Sequence, residues 1–303
     1  MSVKRMHTGE VPTDEALVRR LLTSQFPKWA ELPLKPVRSA GTDNAIYRLG
    51  DDMSVRLPRI DWATGQIDKE FTWLPRLAPQ LPLAIPEPLA RGEAGAGYPY
   101  DWAVYKWLEG SNATLKQIKD PARAATELAQ FLKALQEIDT EGGLAAAEHN
   151  IRGLPLANRD AGTRKAIAEL KNLIDIDTAL NVWESALDAP QWDRPPVWFH
   201  GDMLVGNILF TRGELSAVID FGGLAVGDPA CDLMIAWSLF EGESRAAFRA
   251  ALDVDDATWA RARGHALSQA VIFIPYYLET NPVGVANAQH MLSAVFADFE
   301  TDG

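Results

Sequence analysis

His200-Gly201-Asp202-Met203-Leu204-Val205-Gly206-Asn207, followed by Asp220-Phe221-Gly222 at the end of an apolar run, is the stretch that decides how this chain is read. Asn207 comes five residues after Asp202, and Asp220 thirteen after Asn207. Transfer of a terminal phosphoryl group needs a carboxylate that orients the attacking hydroxyl and accepts its proton. It also needs hard oxygen ligands that hold Mg²⁺ against the nucleotide phosphates. Asp202 suits the first task. Asn207 reaches a metal with its amide oxygen, and Asp220, at the end of the strand-like run 215–219, brings the charged ligand. Asp and Asn also serve as ordinary turn and cap residues. That plainer role suits Asp228, which precedes Pro229 and an apolar segment, better than it suits the other three. His200 reads as a residue that orients the loop through hydrogen bonds.

The pattern His-x-Asp-x-x-x-x-Asn with a later Asp-Phe-Gly resembles the protein-kinase superfamily. Two departures narrow the resemblance. Gly201 stands where protein kinases carry Arg, and Asp228-Pro229-x-x-Asp232 begins eight residues after Asp220, which leaves no room for an activation segment. In the form His-Gly-Asp-x-x-x-x-Asn, Ile-Asp-Phe-Gly and Gly-Asp-Pro-x-x-Asp-Leu, the chain is similar to the aminoglycoside phosphotransferase family, which includes macrolide phosphotransferases and other small-molecule kinases. The resemblance implies an α+β, bilobal protein-kinase-like fold. Residues 1–106 would form a nucleotide-binding lobe around an antiparallel sheet, and 107–303 a mainly helical lobe with the catalytic loop and acceptor pocket. The implied reaction moves the γ-phosphoryl group of ATP or GTP, with Mg²⁺, to a hydroxyl of an aminoglycoside-like acceptor. The alternatives are a macrolide or other small metabolite as acceptor, or a catalytically silent nucleotide-binding pseudokinase.

A second constellation lies upstream. Residues 46–49 and 54–58 alternate across a Gly50-Asp51-Asp52 turn and read as a hairpin. In the helix expected over 65–77, Ile67, Phe71 and Leu74 form an inward stripe, and Glu70 lies on the same face. A carboxylate turned toward a core needs a partner there, and Arg56, inward on the preceding strand, is the candidate. In the family this strand position contacts the nucleotide phosphates, usually as Lys. Arg is a departure whose planar fork grips phosphate oxygens in two places. A solvent-facing Arg56 with Glu70 on the helix rim is the competing reading.

By the same resemblance, Thr42, Asp43 and Asn44 would cover the phosphates from the loop before the hairpin, although a plain strand connector would look the same. Val104, Tyr105 and Trp107 would form the hinge against the purine, where a buried edge strand would again look alike. Trp198, Trp237, Glu241, Tyr276, Tyr277 and Asn281 are candidates for the acceptor pocket, against the commoner role of helix aromatics as core. Helices are expected from Thr13 as cap, from Asp120-Pro121, and over 164–173, 178–187, 230–240, 243–252, 256–274 and 285–299. The stripe Ala125, Leu128, Leu132 and Leu135 is read as core.

Composition sets the bounds. At 303 residues and 47% hydrophobic, the chain can bury a sizeable core. The single cysteine, Cys231, excludes an internal disulfide, suits a reducing cytoplasm and reads as a buried, inert thiol. Neither an export signal nor an apolar run of membrane-spanning length is visible, and no basic run points to nucleic acid. No protein partner is inferred. The five histidines show no metal-ligand spacing, and the Gly-x-Ser-x-Gly elbow of serine hydrolases is missing. Charge is uneven: residues 1–106 carry 14 Lys and Arg against 13 Asp and Glu, and residues 107–303 carry 15 against 28. That asymmetry suits a nucleotide in the first lobe and a cationic hydroxyl acceptor in the second, although general acidity for solubility would produce it too.

Overall fold

The computed structural model describes residues 9–37, 43–112 and 114–302. Strands β1 (Leu34–Pro36), β2 (Asn44–Leu49), β3 (Met53–Pro58), β4 (Pro88–Gly92) and β5 (Trp102–Lys106) form one antiparallel sheet in the order β1-β2-β3-β5-β4. Side chains alternate between the faces of a strand. Val55 and Leu57 therefore join Trp102 and Val104 on one face, while Ala103 and Tyr105 turn to the other. Arg56, between Val55 and Leu57, takes that second face. Helix α1 (Glu15–Gln25) covers the first face with Leu17, Val18, Leu21 and Leu22. Helix α2 (Gln66–Leu77) covers the second with Ile67 and Phe71. The cap of α1 is Asp14 rather than Thr13. Its extended backbone lets the carboxylate accept the Leu17 N–H at 2.7 Å.

The second lobe is mainly helical. It contains α3 (Pro121–Glu137), α4 (Ala146–His149), α5 (Asp160–Glu169), α6 (Ile176–Asp188), α7 (Ile235–Ser238), α8 (Gly242–Leu252), α9 (Asp256–Tyr277) and α10 (Pro282–Asp302). Two antiparallel ribbons lie toward the first lobe: β6 (Val197–Phe199) with β9 (Ala225–Gly227), and β7 (Ile208–Thr211) with β8 (Glu214–Val218). The α3 stripe of Leu128, Leu132 and Leu135 packs into a core with Trp183, Trp198 and Phe248. Cys231 is buried in a smaller cluster with Ala146, Phe199 and Ala225, and burial pushes its thiol well above the usual range. Among the described residues, no helix is long and apolar enough to cross a membrane.

Three helix expectations need correction. The helix placed at 164–173 is α5, which begins at Asp160, where that carboxylate accepts from both Arg164 and Trp183 at 2.7 Å. The one placed at 230–240 is a 3-10 run, Pro229–Met234, then the single turn of α7. Within that run Asp232 turns inward to hold the backbone of the 200–207 loop. Helix α9 continues past 274 to Tyr277, with Pro275 inside its last turn.

Candidate active site

The loop between β6 and β7 is fixed from below. The buried carboxylate of Asp232 accepts the backbone N–H groups of His200 and Gly201, each at 2.7 Å. Burial pushes the Asp232 carboxyl up, against the pull of His200 and of these two donors. The Asp202 N–H donates to His200 Nδ1 at 3.2 Å, so the ring proton sits on Nε2, which is 3.0 Å from the Ile219 carbonyl. His200 thereby ties the loop to the end of β8. Gly201 has φ +83°, and a Cβ there would lie 2.3 Å from both the Gly223 carbonyl oxygen and Asn150 Nδ2. Two loops pass too closely at this point for any side chain, which accounts for glycine where protein kinases carry arginine.

Asp202, Asn207 and Asp220 all line one cleft of about 570 Å³ between the lobes. Asn207 Nδ2 donates to the Asp202 carbonyl at 2.8 Å and to Asp202 Oδ2 at 2.9 Å, which leaves its amide oxygen as the end available to a cation. Asp220 follows β8 in left-handed conformation, φ 66° and ψ 66°, which Asp tolerates better than most residues. Crowding by the surrounding protein pushes its carboxyl up, against the pull of Arg56, yet 42% of the side chain faces the open cleft. Among the described residues, no three His, Cys, Asp or Glu cluster as a self-sufficient metal site. Mg²⁺ in phosphoryl-transfer sites needs no such cage, since one or two protein oxygens and the phosphates complete its shell. An amide oxygen and a carboxylate on the cleft wall fit that requirement.

Arg56 reaches across the lobes. Its Nη1 donates to Glu70 Oε1 at 2.7 Å, and its Nη2 to Gln66 Oε1 at 2.6 Å and to Asp220 Oδ1 at 3.3 Å. The Tyr105 hydroxyl donates to the other oxygen of Glu70. Glu70 is fully buried, and its charge is matched by this fork.

The nucleotide-site candidates divide. Asp43, Asn44, Tyr105 and Trp107 line the cleft, and Arg48 stacks on the Trp107 ring at 4.1 Å. Thr42 lies outside the described residues. Val104 does not reach the cleft: strand alternation turns its side chain into the α1 face, and it pairs with Val55 and Ala90 on its two sides. Of the acceptor candidates, Asn281 lines the cleft. Trp237 and Trp198 are fully buried core residues, stacked on Trp259 and Trp73 at 4.6 Å each. Glu241 starts α8 and lies 3.8 Å from His290, away from the cleft lining. Tyr277 sits one ring behind the lining residue Phe273, at 4.4 Å, while Tyr276 is exposed beside Tyr277. Asp228 caps the 3-10 run and pairs with Arg261 at 2.9 Å, outside the cleft.

Several contributors are not singled out by the sequence. Arg152 donates to the Gly201 carbonyl and to Asp202 Oδ1, while its Nη2 meets Gln269 Oε1 at 3.0 Å. Asn150 Nδ2 donates to the Gly223 carbonyl at 2.6 Å. Gln66 had a signal, since it stands four residues before Glu70 on the same helical face. Arg152 and Asn150 had none, because they fall in a stretch without periodicity.

A five-stranded sheet lobe above a helical lobe, with this triad in the cleft between them, defines a bilobal protein-kinase-like phosphotransferase. The profile of the phosphotransferase enzyme family (APH) matches residues 34–265, and the chain belongs to that family. It is therefore a phosphotransferase. Among solved structures, the GDP and kanamycin complex of APH(2'')-IIia is similar at TM-score 0.73 and 20% identity, over 93% of this chain and 98% of its own. The GDP complex of wild-type aminoglycoside 2'-phosphotransferase-IIIa gives TM-score 0.74 at 19% identity, over 95% and 100%. Macrolide 2'-phosphotransferase type I gives 0.62 at 20%, over 96% and 98%. No curated protein matches the sequence.

Proposed function

We propose that this protein is a small-molecule kinase that transfers the γ-phosphoryl group of ATP or GTP to a hydroxyl of its acceptor. The acceptor oxygen forms a bond to the γ-phosphorus as the bond to the β,γ-bridging oxygen breaks, and the electron pair leaves with the nucleoside diphosphate. The hydroxyl proton goes to Asp202. Asn207 and Asp220 hold Mg²⁺, which supplies neutralisation of charge on the phosphates. Arg56, steadied by Glu70, Gln66 and Tyr105, grips phosphate oxygens. Asp43 and Asn44 cover the phosphate end, and Trp107 flanks the base where the lobes join, at 106/107. Positioning and charge neutralisation carry most of the rate enhancement in such chemistry. A cytoplasmic location, where nucleoside triphosphate is abundant, goes with this reading.

The observation that carries the proposal is the convergence of Asp202, Asn207 and Asp220 on one cleft wall beneath Arg56. Aminoglycosides, macrolides and other hydroxylated metabolites all remain acceptor classes for such machinery. A nucleotide-consumption assay across these classes, with product mass confirming one added phosphate, tests it. Mg-nucleotide binding with no phosphorylation of any hydroxyl compound would favour the pseudokinase alternative.

A further inference from the structure

The acceptor end of the cleft has a chemistry that the overall charge of the lobe conceals. It is formed by Ser238 at the end of α7, Gln269 and Phe273 on α9, Asn281 before α10, and Asn287 and Met291 on α10. None of the six is charged. Among the described lining residues, the only carboxylates are Asp43, Asp202 and Asp220, and each already serves the nucleotide or the transferred group. Even Asp202 is matched at this end, since Arg152 pairs with it and is itself held by Gln269. Other carboxylates of this lobe are engaged away from the cleft, in pairs such as Asp228 with Arg261, Asp298 with Arg263 and Glu184 with Arg164.

A polyamine entering such a site would lose hydration at several ammonium groups without gaining a carboxylate for each, and a desolvated charge without a partner is strongly unfavourable. A neutral compound meets no such obstacle. The Asn287 amide can both donate and accept, and Gln269, whose Oε1 is taken by Arg152, still brings N–H donors, which suits hydroxyl, ether and carbonyl oxygens. Ser238 is 8% exposed with its Oγ enclosed, so it backs this wall rather than meeting the acceptor. Phe273 and Met291 add apolar surface for a ring face or aliphatic edge.

We propose that the acceptor is an uncharged, partly apolar polyhydroxy compound, held by amide hydrogen bonds and apolar contact, and that the cleft discriminates against polycations. This rests on the kinase reading and names the substrate class of the same site.

The test is steady-state kinetics at saturating Mg-nucleotide with two acceptor sets: neutral polyhydroxylated macrolactones and glycosides, and polyamino sugars of similar size. Acceptor-free nucleotide hydrolysis is followed alongside. The neutral set is expected to give the higher kcat/KM by about 100-fold or more, with KM nearly independent of ionic strength. Asn287→Ala is expected to raise KM for neutral acceptors about twofold to tenfold. Asn287→Asp is expected to improve kcat/KM for polyamino sugars about twofold to fivefold. Higher kcat/KM for polyamino sugars, with KM climbing steeply as salt is added, overturns the proposal. So does an enzyme that hydrolyses nucleotide yet phosphorylates no neutral acceptor. Loss of hydrolysis itself, with no acceptor of either set phosphorylated, brings down the kinase reading and this proposal with it.

Discussion

Arg152 and Asp202, fifty residues apart in the chain, meet side chain to side chain: the Arg152 Nη1 donates to Asp202 Oδ1, while Asn207 holds the opposite oxygen. A carboxylate clamped from both sides is oriented more than it is activated. That suits phosphoryl transfer through a loose transition state, where the hydroxyl needs alignment more than early deprotonation. Arg152→Met is therefore expected to lower kcat about 10-fold to 100-fold, the loss associated with one charge-assisted hydrogen bond. Nucleotide KM should stay near wild type and Arg152→Lys should recover part of the rate. Unchanged kcat in a folded Arg152→Met protein removes Arg152 from this role.

Arg56 and Glu70 form a buried pair whose partners depend on each other for charge balance. Arg56→Ala leaves Glu70 charged and enclosed, and is expected to destabilise the fold by about 3 to 5 kcal/mol. The double variant Arg56→Met, Glu70→Met removes both charges and should recover most of that loss while remaining poor in nucleotide binding. Denaturant unfolding of the two variants checks the first expectation, and nucleotide titration checks the second.

Gly201→Ala places a methyl group against the Gly223 carbonyl and the Asn150 amide, both contacts being with atoms that have little room to retreat. A loss of at least about 2 kcal/mol in stability is expected from the crowding and the positive φ together. Because Asp202 is the next residue, turnover should fall about 100-fold from misplacement alone. Thermal unfolding and kcat measured on the same preparation separate the two effects.

These expectations show how much of the site could be read from sequence. Asp202, Asn207 and Asp220 were legible because local spacing fixes them to one loop and one strand end. Arg56 and Glu70 were legible because strand alternation and helical periodicity each point a charge inward. Arg152 was not, since its partners Asp202 and Gln269 are brought to it only by tertiary packing. The acceptor wall was the least legible part. Trp237 and Asn281 both lie in apolar helical surroundings, and only the packing of α7 against Trp259 decides that the tryptophan is core and the asparagine faces the cleft. Val104 differs because alternation along β5 turns its side chain into the α1-face core while its neighbour Tyr105 lines the cleft, and the strand pattern alone does not say which face is which.

His265 gives the fold an acid limit. It is buried on α9, and burial together with Arg159, Arg152 and Arg261 holds its imidazole well below the ordinary value of 6.5. The unfolded chain takes up a proton below about pH 6.5 where the folded one does not, so stability falls as pH drops beneath that value. The loss approaches about 1.4 kcal/mol per pH unit until the folded imidazole itself titrates. Unfolding midpoints followed from pH 7.5 downward should decline less steeply in His265→Gln than in wild type.

The central claim, that Asp202 takes the acceptor proton beside a metal site built from Asn207 and Asp220, is tested most directly by comparing binding with turnover in Asp202→Ala. With a phosphorylated acceptor in hand, the variant should bind Mg-nucleotide with near wild-type affinity by calorimetry, while kcat falls about 100-fold to 10,000-fold. Wild-type turnover in Asp202→Ala would contradict the account.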